Sequence, residues 1–249
     1  MRSAAGRRRK AVRVVGRLAW VHSASTDTDT LITVHDRRGR VAMDAAGVLP
    51  RFTGTAVHDC WRPYFGYPVS HALCNAHLVR ELTGVWESTG QSWAAKLAAT
   101  LERLNGAVHQ ARDAGRDRLD PDVLAGLYAR YDAVVAQGWA ANPAPPGGFG
   151  RKRPVAVNLL DRMTAHRADY LRFSVDFGVP FTNNTAEQDI RPVKIRAKIS
   201  GCLRTMAGAQ AFCRLRSYLS TARKQHRDAL DVLCQLQQGH PWLPQPAPG

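Results

Sequence analysis

Carboxylates are scarce in this chain. Twenty Asp and Glu stand against 35 Lys and Arg in 249 residues, the formal net charge is +15, and no acidic residue occurs before Asp27. So positive a chain calls for an anionic partner, and nucleic acid is the commonest, because Lys and Arg neutralise phosphates with release of counterions. An acidic membrane surface is the alternative. The sequence holds no apolar run long enough to span a bilayer and no basic amphipathic helix with Trp or Leu on one clean face. The N-terminal MRSAAGRRRKAVRVV lacks the continuous apolar stretch of a signal peptide, which points to a cytoplasmic, nucleoid-associated protein. The five cysteines, Cys60, Cys74, Cys202, Cys213 and Cys234, are odd in number and widely spaced, so reduced thiols are expected rather than a disulfide framework. An aromatic RNP-type run is also missing, which argues against an RNA-binding module. Apolar residues make up 45%, enough to bury a real core in one large domain or two small ones.

Along the chain, strand signals come first and helix signals follow. Residues 1–10, with Arg7-Arg8-Arg9-Lys10, read as a basic disordered arm. Residues 11–68 read as β-rich. Leu18–His22 and Leu31–His35 suit a hairpin across the polar turn Ser25–Asp29, Val41–Leu49 suits a short helix, and Thr55–Asp59 suits a third strand. From Val69 the apolar period becomes helical, with Leu73, His77, Leu78 and Leu82 on one face and Leu97, Leu101, Leu104 and Val108 on another. Leu119–Trp139 and Pro154–Phe173 read as further helices, separated by a Pro/Gly linker at 142–150. A last helical stretch is expected over Met206–Leu236, with Phe212, Leu215, Leu219 and Ala222 on one face. The expected domains are thus the arm 1–10, a β-rich half 11–68, a helical insertion 69–173, a C-terminal helical part 174–240 and a disordered tail 241–249.

Two carboxylates occupy rigid mounts. Asp59 closes the third strand, and Glu187 opens a helix after the cap-like Asn183-Asn184-Thr185. Phosphodiester chemistry commonly uses two divalent metals held by carboxylates, and the end of a strand or the first turn of a helix holds such ligands firmly. At ~100° per residue, Glu187, Arg191, Lys194 and Lys198 share a stripe, with Ile190, Val193 and Ala197 on an adjoining apolar face. Pro192 removes a helical hydrogen bond, so the stripe is secure only to about Arg191. On spacing alone a helix-dipole role for Glu187 and an Arg191 ion pair serve equally well.

The run Phe173-Ser-Val-Asp-Phe-Gly-Val-Pro-Phe-Thr-Asn-Asn-Thr-Ala-Glu-Gln-Asp-Ile-Arg-Pro-Val-Lys resembles the hallmark of the insertion-sequence-66 family of transposases, and its Glu187 matches the family's third catalytic carboxylate. Lys198-Ile-Ser-Gly-Cys202 and Arg216-Ser-Tyr-Leu-Ser-Thr-Ala-Arg223 continue the likeness. Upstream, His58-Asp-x-Trp-x-Pro-Tyr64 resembles the segment holding the second catalytic Asp, here Asp59, and Cys74-Asn-Ala-His77-Leu-x-Arg-Glu-Leu82 resembles the helix after it. The resemblance implies an α/β (α+β) fold: a ribonuclease-H-like core with a mixed sheet and a large helical insertion between the second Asp and the Glu. It implies DNA cleavage and strand transfer by two-metal chemistry with Mg2+ or Mn2+, Asp59 and Glu187 being both catalytic residues and metal ligands.

The family's first catalytic Asp lies in an Asp-Glu-Thr-Gly-like strand that would fall near Arg8-Arg9-Lys10-Ala11, where this chain has no acid. The expectation is therefore an N-terminally truncated copy with an incomplete first strand and impaired or no activity; a non-catalytic DNA-binding remnant is the alternative. Transposon ends and target DNA are the expected partners, with self-association or association with a full-length transposase. Arg191, Lys194, Lys198 and Arg204 are the expected phosphate contacts, with Arg223 and Lys224 as weaker candidates. Cys74 and His77 have a spacing that suits zinc, but a structural site needs about four ligands. A packing role is expected for the pair, and zinc is not.

Overall fold

A computed structural model describes residues 9–148, 153–199 and 203–245; the side chains of residues 9–11, 194, 197 and 198 also lie outside the description. The chain forms two compact units. One comprises Met1–His71 with Asn183–Gly249, the other Ala72–Thr182. The class is mixed α and β, mostly helical with small sheets.

The first unit begins with β1 (Arg9–Val14), β2 (Arg17–Ser25) and β3 (Thr30–His35), an antiparallel sheet in that order. The expected β2–β3 hairpin forms, from Ser25 opposite Thr30 to Trp20 opposite His35. The β1–β2 hairpin was not foreseen, and it replaces the incomplete first strand. Its turn, Val15-Gly16, has φ of 51° and 73°, the doubly positive pair that matches strand twist in a two-residue hairpin. Valine is a poor residue for that conformation and hides the signal. Arg9 and Lys10, expected in the arm, are the first residues of β1; the rest of the arm lies outside the described residues. Along β3, Thr30, Ile32 and Val34 are buried and alternate with outward residues, as a half-buried strand requires.

After β3 come α1 (Arg40–Ala45), close to the expected short helix, and β4 (Thr55–His58). Then β5 (Ser70–Leu73), whose first residues belong to the same unit, pairs with β4 in a separate two-stranded sheet. A helix was expected to start at Val69; β5 comes first. Met43, Leu49, Ala56, Tyr64 and Tyr67 make a small core under these elements.

The second unit is helical: α2 (Asn75–Thr89), α3 (Ser92–Asp113), α4 (Pro121–Ala141), α5 (Val155–Ala165) and α6 (Arg167–Leu171). Its apolar residues fall where the period put them. Leu78 and Leu82 of α2 and Leu97, Leu101, Leu104 and Val108 of α3 are all buried. Asp120 caps α4 by accepting the Asp122 and Val123 N–H groups at 2.9 and 3.3 Å, with Pro121 at the first helical position.

The chain returns to the first unit through α7 (Asn184–Ile199), α8 (Met206–Lys224) and α9 (Ala229–Gln237). Ile190 and Val193 of α7 and Ala209 and Cys213 of α8 close the core over Val12, Val14, Ala19, Val21, Ile32 and Val34. α7 runs unbroken through Pro192. One hydrogen bond is lost there, but Ile190 and Val193 hold the helix to the sheet on both sides of the proline. The expected single stretch Met206–Leu236 is two helices. His226 has φ 57°, Arg227 N–H reaches back to the Ala222 carbonyl at 2.8 Å, and His226 N–H reaches the Arg223 carbonyl at 3.1 Å. This is a Schellman ending with histidine in the left-handed position. Asp228 then caps α9 through the Leu230 and Asp231 N–H groups.

Candidate functional site

Asp59 directly follows β4. The chain reverses after it through a left-handed Cys60, φ 59°, and one Asp59 oxygen, Oδ1, is buried. Its neighbour His58 is fully buried, stacks on Tyr64 at 4.4 Å between ring centres, and faces His71 with Nε2 3.0 Å from Nδ1. Glu187 lies half-buried in the first turn of α7, its N–H donating to the Asn183 carbonyl at 3.3 Å. Both carboxylates belong to the first unit. Among the described residues, no three His, Cys, Asp or Glu side chains gather as a metal-binding group.

The remaining expected residues fall as follows. Arg191 is exposed on α7, and Arg204 is exposed just before Thr205, the N-cap of α8. Lys194 and Lys198 lie further along α7 with side chains outside the described residues. Cys74 precedes α2, with His77 one turn in and its N–H 3.2 Å from the Cys74 carbonyl; both belong to the second unit. Cys202 lies outside the described residues, and burial pushes the Cys213 thiol up to about 11, which leaves it a packing residue. Asp29 stays in the β2–β3 turn, accepting the Thr28 hydroxyl at 2.7 Å.

Lys224 corrects the sequence reading most clearly. Its ammonium points inward, 3.1 Å from Asp189 Oδ2, 2.8 Å from the Thr26 carbonyl and 3.1 Å from the Asp29 carbonyl. Asp189 is the residue that sequence reasoning missed. Only 5% exposed, it also accepts hydrogen bonds from Ser25, from Thr30 at 3.0 Å and from Ser220 at 2.6 Å. Burial alone would raise its pKa; hydrogen bonds from Ser220 and Ser25 and the Lys224 charge together outweigh burial and hold the carboxyl below the ordinary range. Three residues before it, the Ala186 carbonyl accepts the Ser23 hydroxyl at 3.1 Å. The turn of α7 that carries Glu187 is therefore fixed to β2, β3 and α8 by polar bonds.

α8 continues this seam. Ser217 Oγ accepts the Ile32 N–H at 2.8 Å, and Thr221 Oγ1 accepts the Thr30 N–H at 3.0 Å. β3 is the sheet's edge, and these hydroxyls satisfy groups that a neighbouring strand would otherwise pair. The inward face of α8 thus includes Cys213, Ser217, Ser220 and Thr221 beside Ala222, while Leu215, grouped with Ala222 on the expected apolar face, is 38% exposed. The signal was present as a polar stripe, Ser217, Ser220, Thr221 and Lys224, at the i, i+3, i+4, i+7 spacing of one helix face.

The class so far is a basic, mostly helical α and β protein with carboxylates at a strand end and a helix start. A family model described as Transposase IS66 family matches residues 7–211, and the chain belongs to that family. No curated protein and no solved structure matches it. Among the described residues, no helix is long and apolar enough to cross a membrane.

Proposed function

We propose that this transposase-family chain is a ribonuclease-H-like core that binds DNA but cleaves and joins it weakly or not at all, because its carboxylate set is incomplete. One observation carries the reading. Arg9 pairs with His22; the next residue, Ser23, donates to the Ala186 carbonyl, and Glu187 follows. The β1 end on the Glu187 side therefore carries Arg9 and Lys10, and no acid occurs anywhere in β1 or β2. Asp59 and Glu187 are the second and third carboxylates of the family pattern, and the first is replaced by cations. Neither arginine nor lysine can supply the missing carboxylate. The loss should exceed the ~10–100-fold that removal of an outer-shell partner costs. The same observation favours a non-catalytic DNA-binding role.

The test is a strand-transfer assay on the purified chain with Mg2+ or Mn2+ and duplexes taken from the DNA flanking its coding sequence. The expected result is binding with little or no joining. Robust metal-dependent joining that disappears in Glu187→Ala or Asp59→Ala would overturn the impairment, and failure to bind any duplex would overturn the DNA reading.

A further inference from the structure

A cavity of about 600 Å³ opens among α7, α8 and α9, lined by Arg191, Arg216, Arg223 and Arg227 with the carboxylates Asp189 and Asp228. Two carboxylates cannot balance four arginines. Asp189 is engaged by Lys224 and three hydroxyls, and Asp228 accepts the first N–H groups of α9. Among the described residues, none of the four guanidinium groups is in an ion pair with a carboxylate. Arg216 goes further: its Nε is buried and has no hydrogen-bond acceptor there. A buried donor of that kind costs free energy until an acceptor arrives.

The arrangement follows from the fold. The adjoining face of α8 is committed to β3 through Ser217 and Thr221, which leaves Arg216 and Arg223 to line the cavity with α7 and α9. These two stand seven residues apart, about 10 Å along the helix. The Schellman turn places Arg227 beyond them, and Arg191 comes from α7. Attraction to the C-terminal dipole of α8 accounts for Arg223 and Arg227 at most, since that effect fades within about one turn of the helix end. Arg216 lies two turns earlier. Guanidinium groups so spread suit a run of phosphates better than one small anion, and each can hold a phosphate by paired N–H donors.

We infer that this groove is a binding site for the phosphodiester backbone of DNA, built on Arg191, Arg216, Arg223 and Arg227 and independent of any metal. The inference rests on the reading that the chain binds DNA. Its test is metal-free binding of a short duplex of arbitrary sequence in the presence of EDTA, measured by fluorescence anisotropy across a salt series. Arg191→Gln/Arg227→Gln should weaken binding on the order of ten-fold and lower the salt slope by about 0.9 for each phosphate no longer neutralised. Arg103→Gln/Arg112→Gln, an equal charge loss on exposed sites of α3, should change it less than about two-fold if binding is not a matter of net charge alone. Equal effects from both pairs would overturn the groove while leaving DNA binding intact; no binding by the wild type would overturn both. Inorganic phosphate at the same phosphate concentration should compete poorly, and competition equal to that of the duplex would overturn the backbone assignment. Should the double variant change thermal unfolding, Arg227→Gln alone is read, with about half the slope change expected.

Discussion

The two units of this protein hold their helices in different ways. In the second unit α3 buries Leu97, Leu101, Leu104 and Val108 along a single apolar stripe. In the first unit α7 and α8 also meet an apolar core, but they are locked to β3 by Asp189, Lys224, Ser217, Ser220 and Thr221. An apolar stripe tolerates small shifts, because burial is not directional. A seam of hydroxyls around a buried charge does not, because each partner must sit at hydrogen-bond distance or the others are left unsatisfied. In the first unit, polar fixing thus surrounds the helix that carries Glu187.

The largest effect should come from breaking the charge at the centre of the seam. Asp189→Asn leaves Lys224 buried beside a neutral partner, which should cost roughly 3–5 kcal/mol in denaturant unfolding. The pH dependence separates this from a packing defect. The Asp189 carboxyl is held below its ordinary value in the folded protein, so its contribution is fully present above the unfolded pKa of about 3.9 and is lost as pH falls through the folded value. The difference between wild type and Asp189→Asn should therefore shrink toward acid. A difference that stays constant from neutral pH down to acid would mean that Asp189 acts through shape alone.

Leu101→Ala is the matching change in the helical unit. It should cost about 2–5 kcal/mol, according to how far the site collapses, with no dependence on pH, since Leu101 lies within an apolar stripe. If its cost followed pH as that of Asp189 does, the contrast between the units would fail.

The same contrast explains what could be read in advance. Leu97, Leu101, Leu104 and Val108 announced themselves by period, and the β2–β3 hairpin by two runs of β formers around a polar turn. α8 misled, because its inward face is Ser217, Ser220 and Thr221 while Leu215 faces out. Ala222 is buried and Phe212 packs on the core, but a rule that sends leucine inward and hydroxyls outward misplaces Leu215 and these three residues. The β1–β2 turn was hidden by Val15, a β-branched residue at φ 51° where Asn or Gly would have signalled it. Asp59 and Glu187 were legible as candidates from motif and mount. Asp189 was not, because its partners come from residues 25, 30, 220 and 224, and no local pattern joins them.

The smallest of these effects isolates one hydroxyl of the seam. Ser217→Ala removes the acceptor that the Ile32 N–H uses at 2.8 Å, and a methyl group cannot take the place of that oxygen. The Ile32 amide belongs to an edge strand covered by α8, so water cannot reach it freely. An unsatisfied buried N–H costs about 1–3 kcal/mol. Hydrogen exchange should register the change locally: the Ile32 amide should lose protection before its neighbours in β2, which keep their strand partners. Faster exchange confined to Ile32 would show that this hydroxyl holds the edge of the sheet, since the Thr30 amide keeps its own acceptor in Thr221. If protection there were unchanged and stability held, the apolar contacts of Ala209 and Cys213 would be sufficient, and the first unit would be built like the second.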